Sequence, residues 1–475
     1  MRTTVWILAL ALAHSLSGNA NASELQRRFG DDFGINIKIE RITSEELVKI
    51  ASLGIARVRT GISWYQVEQS KDAYRWDLNI PRHPSADDYT PDHAFTTPDA
   101  ALAAIIAAGL RADVTLHEGN SLYTGKSVNI APPGRPESLR IPSPRTSEAI
   151  AAFTAFAAAT VEHYEALYGN QAITWHIWNE PDFNGSYAPT VDAARFGELL
   201  AATCSAIRKV SPDAKIMGPA LGAHGEGDID LPFLRGLFTN ANALPCLNGF
   251  TIHPYRSAVP ETAPQDFATV AAALDPWQPK DKPPVPIAVD EWGYSIAKSH
   301  DTIPVTQDWR DFTGEEQAAL MLRMYLTNLA YGVPLTVIYD WRDRGTDAYE
   351  WEDNFGIVNF KGEAKPTLRM FETVWPLLRH RPLLSADILQ DCSPHEHALH
   401  FGSRVDDAPH WVVAWTDAPT TVELHIAGYV AEAKDIFGNQ TALASNKIGL
   451  SGKPILLTLP ADKTLGLTCA LKAPH

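Results

Sequence analysis

The sequence predicts an α/β chain in which a (β/α)8 TIM barrel is followed by a C-terminal β-sandwich domain. Three observations predict it. Short β-branched runs alternate with long helical patterns, as in a parallel sheet built from βα units. Eight such pairs succeed one another across about 350 residues, the pattern of a closed barrel. Past Arg379-His380-Arg381-Pro382 only short strand runs remain, separated by turn residues.

The pairs read in order as follows. Residues 34–39 (GINIKI) form the first strand and 44–53 its helix. The second strand is 56–60 (ARVRT), before an Ala-rich helix at 98–108; the third is 113–117 (DVTLH), before 147–168. Residues 173–179 (ITWHIWN) precede a helix at 191–210, and 215–219 (KIMGP) one at 231–237. The sixth to eighth strands are 250–253 (FTIH), 286–290 (PIAVD) and 335–339 (LTVIY), with helices at 264–274, 315–329 and 366–378. The connections after strands two, three, seven and eight are long and rich in Gly, Pro, Asp and Trp, whereas the returns are short. All long loops then share the C-terminal face, where a barrel assembles its site. In the tail, 410–415 (HWVVAW), 421–426 and 455–459 are strands, with turns at 437–439 and 451–453. The tail is expected to brace the barrel.

The N-terminus has a different texture. Arg2 precedes an apolar run at 5–13 (VWILALALA), and Ala20-Asn21-Ala22 supplies small residues at a cleavage position. That is the pattern of a secretory signal peptide, too short to span a bilayer. The expected organisation is a signal peptide at 1–22, a barrel at 23–382 and a sandwich at 383–475, secreted or periplasmic after cleavage, with no transmembrane segment. Four cysteines fit an oxidising compartment and allow three pairings. If each domain keeps its own bridge, Cys204 joins Cys246 and Cys392 joins Cys469. No Cys/His cluster has metal spacing, and no metal or other cofactor is expected. The alternating histidines of 395–400 (HEHALH) lack the H-E-x-x-H spacing and read as one strand.

Composition removes some functions. With 45% hydrophobic and 20% charged residues, the chain has ample core material. Its 40 Lys+Arg against 56 Asp+Glu give a formal charge of -16, which repels a phosphate backbone and argues against nucleic acid.

Two motifs carry chemistry. Trp178-Asn179-Glu180-Pro181 ends the fourth strand, and Asp290-Glu291-Trp292-Gly293 ends the seventh. A barrel turns distant strand ends toward one pit, so Glu180 and Glu291 can face each other. Two carboxyl groups about 5 to 5.5 Å apart are what retaining glycoside hydrolysis requires, one as nucleophile and one as acid/base. Asn179 can donate to a sugar 2-hydroxyl, and the indoles of Trp178, Trp292 and Trp341 offer flat platforms for sugar rings.

These motifs together resemble the clan A glycoside hydrolases. The resemblance implies that Glu180 is the acid/base and Glu291 the nucleophile. It also matches Arg59 to the second-strand arginine beside the nucleophile, and His253-Pro254-Tyr255 to a sixth-strand His-x-Tyr whose Tyr bonds the nucleophile. Trp341 matches the eighth-strand Trp beneath the sugar. Residues 63–68 with Tyr74-Arg75-Trp76-Asp77, the run Asn354-Phe355-Gly356-Ile357, Lys365-Pro366 and Asp435-Ile436-Phe437-Gly438-Asn439 are most similar to glycoside hydrolase family 39 and its close relatives. Asp290 departs from that family, which often has Thr before the nucleophile. From the residues alone, His253 reads equally as a satisfied core histidine, and Arg59 as a stitch between strand and helix.

The implied enzyme is a retaining β-glycosidase acting on a carbohydrate polymer, a secreted bacterial exopolysaccharide first, and expected to be a monomer. The alternatives are a β-xylosidase on plant oligosaccharides, a transglycosylase, and a carbohydrate-binding protein without turnover. Arg256, Arg342 and Arg344 follow strands six and eight and would suit uronate carboxylates.

Overall fold

A computed structural model describes residues 27–79, 95–131, 137–222, 229–298, 311–386, 389–390, 392–403, 409–427, 430–443, 446–460 and 466–469. The expected signal peptide lies outside these residues. Among them, no helix is long and apolar enough to cross a membrane.

The barrel strands are β1 (Phe33–Asn36), β2 (Arg57–Ser63), β3 (Arg111–His117), β4 (Ile173–Ile177), β5 (Lys215–Leu221), β6 (Gly249–Ile252), β7 (Ile287–Trp292) and β8 (Thr336–Ile338). They are parallel, neighbours in sequence are neighbours in space, and β8 closes on β1. The helices between and after them are α1 (Ser44–Ser52), α2 (Pro98–Ala107), α3 (Ser147–Tyr168), α4 (Ala193–Val210), α5 (Leu231–Gly236), α6 (Ala263–Leu274), α7 (Gly314–Tyr331) and α8 (Pro366–Leu378). Their starts follow from capping chemistry. Thr43 and Thr313 open α1 and α7 as full capping boxes with Glu46 and Glu316, and Thr97, Thr146 and Asp192 cap α2, α3 and α4. Gly332, in the left-handed region at φ 79°, ends α7. The observed β1 is shorter than expected because Ile37 and Ile39 already belong to the loop that leaves the barrel, although both stay buried.

Beyond the barrel come β9 (Leu383–Ser385), β10 (Leu389–Gln390), β11 (Glu396–Phe401), β12 (His410–Thr416), β13 (Val422–Ala427), β14 (Glu432–Asp435), β15 (Lys447–Leu450), β16 (Ile455–Leu459) and β17 (Gly466–Cys469). One sheet runs β9-β11-β12-β16-β14 and the other β10-β17-β13-β15. Strand alternation explains the stacking. On β12, Trp411, Val413 and Trp415 join the barrel's core, while Val412 and Ala414 face the second sheet with Leu424, Leu450 and Leu457. Glu261, just ahead of α6, clamps the seam: it accepts two hydrogen bonds from Arg323 of α7, at 2.8 and 2.6 Å, and one from Trp415 Nε1 at 2.6 Å. Cys204 is bonded to Cys246 among the barrel residues and Cys392 to Cys469 among those of the sandwich.

Candidate active site

The side chains aimed along the barrel axis come from alternate positions on neighbouring strands. On β2 these are Arg57 and Arg59, on β3 Asp113 and Thr115, on β4 Thr174 and His176. Register places Arg59 beside Asp113, and Asp113 beside Thr174. A barrel interior is ordinarily layered with Val, Ile and Leu; this one is charged toward its C-terminal mouth.

Glu180 and Glu291 meet there. An oxygen of each and His253 Nδ1 all lie within 4.8 Å of one another. Both glutamates keep some exposure, 26% for the Glu180 side chain and 14% for that of Glu291, so a substrate can reach them. The backbone around Glu180 is strained: Trp178 and Glu180 both adopt left-handed conformations, at φ 72° and 46°. The strain is held by a hydrogen bond from the Glu180 amide to the Ala220 carbonyl at the end of β5. Gly293, next after Trp292, is required by packing, since a Cβ there would fall 2.0 Å from the Tyr339 carbonyl oxygen. With any larger residue, β7 could not deliver Glu291 so close to β8.

Electrostatics assigns the two glutamates different surroundings. Glu291 accepts from Arg59 Nη1 at 2.6 Å and from the Tyr255 hydroxyl at 3.0 Å. Burial pushes its carboxyl up, but His253, Arg59 and Lys38, with the Tyr255 hydrogen bond, outweigh that and hold it below the usual range. The Tyr255 hydroxyl, itself buried beside Glu291, is pushed well above its ordinary value and stays a donor. Glu180 Oε1 instead faces His253 Nδ1 at 2.9 Å. Arg59 also donates to the Asn179 carbonyl oxygen at 2.7 Å, which turns the NH2 of that amide away from Arg59.

The structure thus brings Arg59, Asn179, Glu180, His253, Tyr255 and Glu291 together. It revises several roles. His253 is fully buried and touches Glu180 rather than any space open to a substrate. Arg59, 4% exposed, serves Glu291 and Asn179. The three indoles expected as platforms are core residues: Trp292 is 0%, Trp178 1% and Trp341 3% exposed. Trp178 packs on Phe153, Tyr187 and Phe196, and Trp341 donates to Glu46 at 2.8 Å. Trp292 lies beside Tyr294 and under the Arg256 guanidinium. Among the described residues, the exposed aromatics on the C-terminal loops are Phe183, Tyr349 and Trp351. Arg256 is buried against Asp266, and Arg342 is paired with Glu46, so neither is presented to a uronate. Only Arg344 of those three is substantially exposed, beside Glu352 at 3.6 Å.

Sequence reasoning missed Asp290, His176, Asp113 and Arg57 as parts of this site. The signal was available: polar residues at every second position of strands that are otherwise apolar (R-V-R, A-D-V-T, I-T-W-H).

No family model and no curated protein matches the sequence. Solved structures do. A family 39 glycoside hydrolase from Bacteroides cellulosilyticus WH2 superposes with a TM-score of 0.65 at 20% identity, covering 90% of this chain and 80% of that one. A monomeric beta-xylosidase from Caulobacter crescentus CB15 gives 0.57 at 14% identity over 92% and 97% of the two chains. The GH39 enzyme from Xanthomonas axonopodis pv. citri gives 0.56 at 15% over 92% and 95%. The chain has the fold of the family 39 glycoside hydrolases. That likeness covers both the barrel and the sandwich, and it agrees with the resemblance carried by the strand-end motifs.

Proposed function

We propose that this protein is a retaining β-glycosidase of the family 39 type, with Glu291 as nucleophile and Glu180 as acid/base. The observation that carries the reading is the separation of the two carboxyls. Oxygens within 4.8 Å leave no room for the water that an inverting enzyme holds across about 6.5 to 9.5 Å.

The chemistry follows from the two environments. Glu291, kept ionised by Arg59 and Tyr255, attacks the anomeric carbon while the glycosidic oxygen leaves with a proton supplied through Glu180. Water then attacks the glycosyl ester, gives its proton back through Glu180 and releases Glu291 as a carboxylate. Asn179 is oriented to donate to the 2-hydroxyl, a contact that strengthens as positive charge develops on the sugar.

The substrate class we favour is a bacterial exopolysaccharide met outside the cytoplasm. Support comes from the leader-like N-terminus, the two disulfides and the long loops of the C-terminal face. The exposed Phe183, Tyr349 and Trp351 on those loops are suitable stacking surfaces for sugar rings.

The test is product release by the purified mature protein from aryl β-xyloside, β-glucoside, β-galactoside and β-mannoside and from a set of bacterial and plant polysaccharides. New reducing ends with retained anomeric configuration support the reading. Longer oligomers in place of reducing ends would make the protein a transglycosylase. Inverted product, or no product from any substrate, would sink it.

A further inference from the structure

Beneath the two glutamates the barrel axis holds a line of side chains alternating in sign. Arg57 donates from Nε and Nη2 to the two oxygens of Asp113, each at 2.6 Å. His176 stands 3.3 Å from Asp113 through Nε2 and 2.8 Å from Asp290 through Nδ1. Asp290 Oδ1 lies 3.2 Å from His253 Nε2, and His253 Nδ1 is 2.9 Å from Glu180 Oε1. Asp113, His176, His253 and Asp290 are all fully buried, so bulk solvent does not screen them.

Proton accounting along this line leaves little freedom. A carboxylate only accepts, so a ring nitrogen facing one must carry hydrogen. His176 faces an aspartate on both sides and is therefore an imidazolium. His253 Nε2 faces Asp290 Oδ1 across an ion-pair contact that lacks hydrogen-bond alignment, and a hydrogen on that nitrogen is favoured over a lone pair set against the carboxylate. One contact is then undetermined, Nδ1 of His253 against Glu180, and it needs one proton. The net charge is the same whichever partner holds that proton, so the neighbours decide: carboxylate oxygens of Glu180, Asp290 and Glu291 lie 2.9, 3.2 and 3.9 Å from the ring nitrogens of His253, and their combined negative charge favours the imidazolium.

We propose that Asp290 and His253 are positioning residues for acid/base catalysis. In the resting enzyme the proton destined for the leaving group sits on His253 Nδ1, held there by Asp290, and reaches the glycosidic oxygen through Glu180. This rests on the glycosidase reading and deepens it. The step balances: the Glu291 oxygen bonds the anomeric carbon, the carbon–oxygen bond breaks toward the leaving group, and that oxygen takes the proton. The cluster loses one positive charge from His253 and one negative charge from Glu291 together, so its net charge is the same before and after. Hydrolysis of the glycosyl ester reverses both changes, as water's proton returns through Glu180 to His253. The arrangement shares the logic of an Asp–His pair behind a serine nucleophile, here placed behind a carboxylic acid.

The groups facing His253 are Glu180 from the end of β4, and Asp290 and Glu291 from β7, with Glu291 Oε1 3.9 Å from Nδ1. Arg59 of β2 approaches the same Asp290 at 3.6 Å. Burial lowers the imidazole's proton affinity, but Glu291 and Asp290 and the hydrogen bonds to Asp290 and Glu180 raise its pKa to about 10.

Two measurements test this. In 15N-histidine spectra of the intact mature protein, with the His253 signals assigned by their absence in His253→Gln, both ring nitrogens should be protonated at pH 7 and lose that pattern only toward pH 10. A neutral His253 ring at pH 7 overturns the proposal whether or not any substrate is ever found. In kinetics, Asp290→Asn should move the alkaline limb of kcat/KM down by at least about one pH unit. It should also cost about 10²- to 10⁴-fold on an aryl glycoside with a poor leaving group. A dinitrophenyl glycoside, which needs no acid, should lose less than about tenfold. A merely structural role for Asp290 would depress both substrates alike and leave the pH profile in place, and that result overturns the proposal. Wild-type silence on every glycoside would sink the glycosidase reading alone, leaving the spectra to decide the placement of the proton.

Discussion

The barrel interior and the sandwich interior solve the same burial problem in opposite ways. Between the two sheets of the sandwich the filling is Ala398, Val412, Ala414, Leu424, Ile448, Leu450, Leu457 and Leu467, all apolar. Along the barrel axis the same strand alternation buries Arg57, Arg59, Asp113, His176 and Asp290. The first core is stabilised by removing apolar surface from water, about 25 cal/mol per Å². The second gives up that gain and also bears the desolvation of several charges, which replacement by well-packed apolar residues would often relieve. A barrel would be easier to stabilise without such a ladder. Its presence directly under two facing glutamates is what marks this end of the molecule as the working one.

The comparison can be broken most severely at Glu291. Glu291→Gln removes the nucleophile and should lower turnover by about 10⁴-fold or more, measured on whichever substrate the wild type hydrolyses. It should leave the sandwich untouched. Next in size is Arg59→Met, which strands Asp290 and Glu291 without their shared cation; about 3 to 5 kcal/mol of stability should go, read from the denaturant midpoint. Activity should fall with it. In the sandwich, Leu457→Ala should cost about 2 to 4 kcal/mol by leaving a cavity, yet barrel turnover at 25 °C should stay near wild type. If turnover fell as far as for Arg59→Met, the two cores would not be separable.

pH sharpens the contrast. Asp290 is held well below its ordinary range: burial opposes the charge, but Arg59 and His253 and the hydrogen bonds from both histidines outweigh it. Its stabilising contribution is therefore complete above the unfolded carboxylate pKa and is lost as pH falls through the lower folded value. His253 has the opposite sign. Its pKa, raised from 6.5 to about 10, means a contribution present below 6.5 and lost between there and about 10. Unfolding measured across pH should show wild type losing stability over that alkaline window, and His253→Gln losing none of it. The smallest effect is expected at the rim. Trp351→Ala should change stability by less than about 0.5 kcal/mol, because the ring is 41% exposed, while raising KM severalfold for a polymeric substrate. An unchanged KM would remove Trp351 from the binding surface.

Much of this molecule was legible before folding was considered. Helix limits were close because caps are local: Thr146 starts α3 and Lys365-Pro366 starts α8 at the expected residues. The pairing of the strand ends of β4 and β7 was legible because a barrel leaves few choices once eight βα units are counted. Legibility failed where a side chain had two places to go. Trp178 and Trp292 sit beside Glu180 and Glu291 in sequence, yet both rings are buried, Trp178 against Phe153, Tyr187 and Phe196 and Trp292 beside Tyr294 and Arg256. Asp290 looked like a family departure and turned out to be the hinge of a charged ladder, since its partners His176 and His253 come from strands 114 and 37 positions away. The short strands β9, β10, β14, β15 and β17 were missed because runs of two to four residues carry little periodic signal.

By itself, the sequence determined the order of the eight barrel strands and their helices, the two strand-end glutamates that face each other and a formal charge that argues against a phosphate backbone as partner. These depend on local pattern and on residue type, which a chain carries with it. Tertiary structure decided the rest: how close Glu180 and Glu291 come, which of them faces Arg59 and which faces His253, and which indoles stay out of the mouth. Those outcomes depend on distances and on burial, and a charge acquires its proton affinity only when the fold has chosen its neighbours and taken away its water.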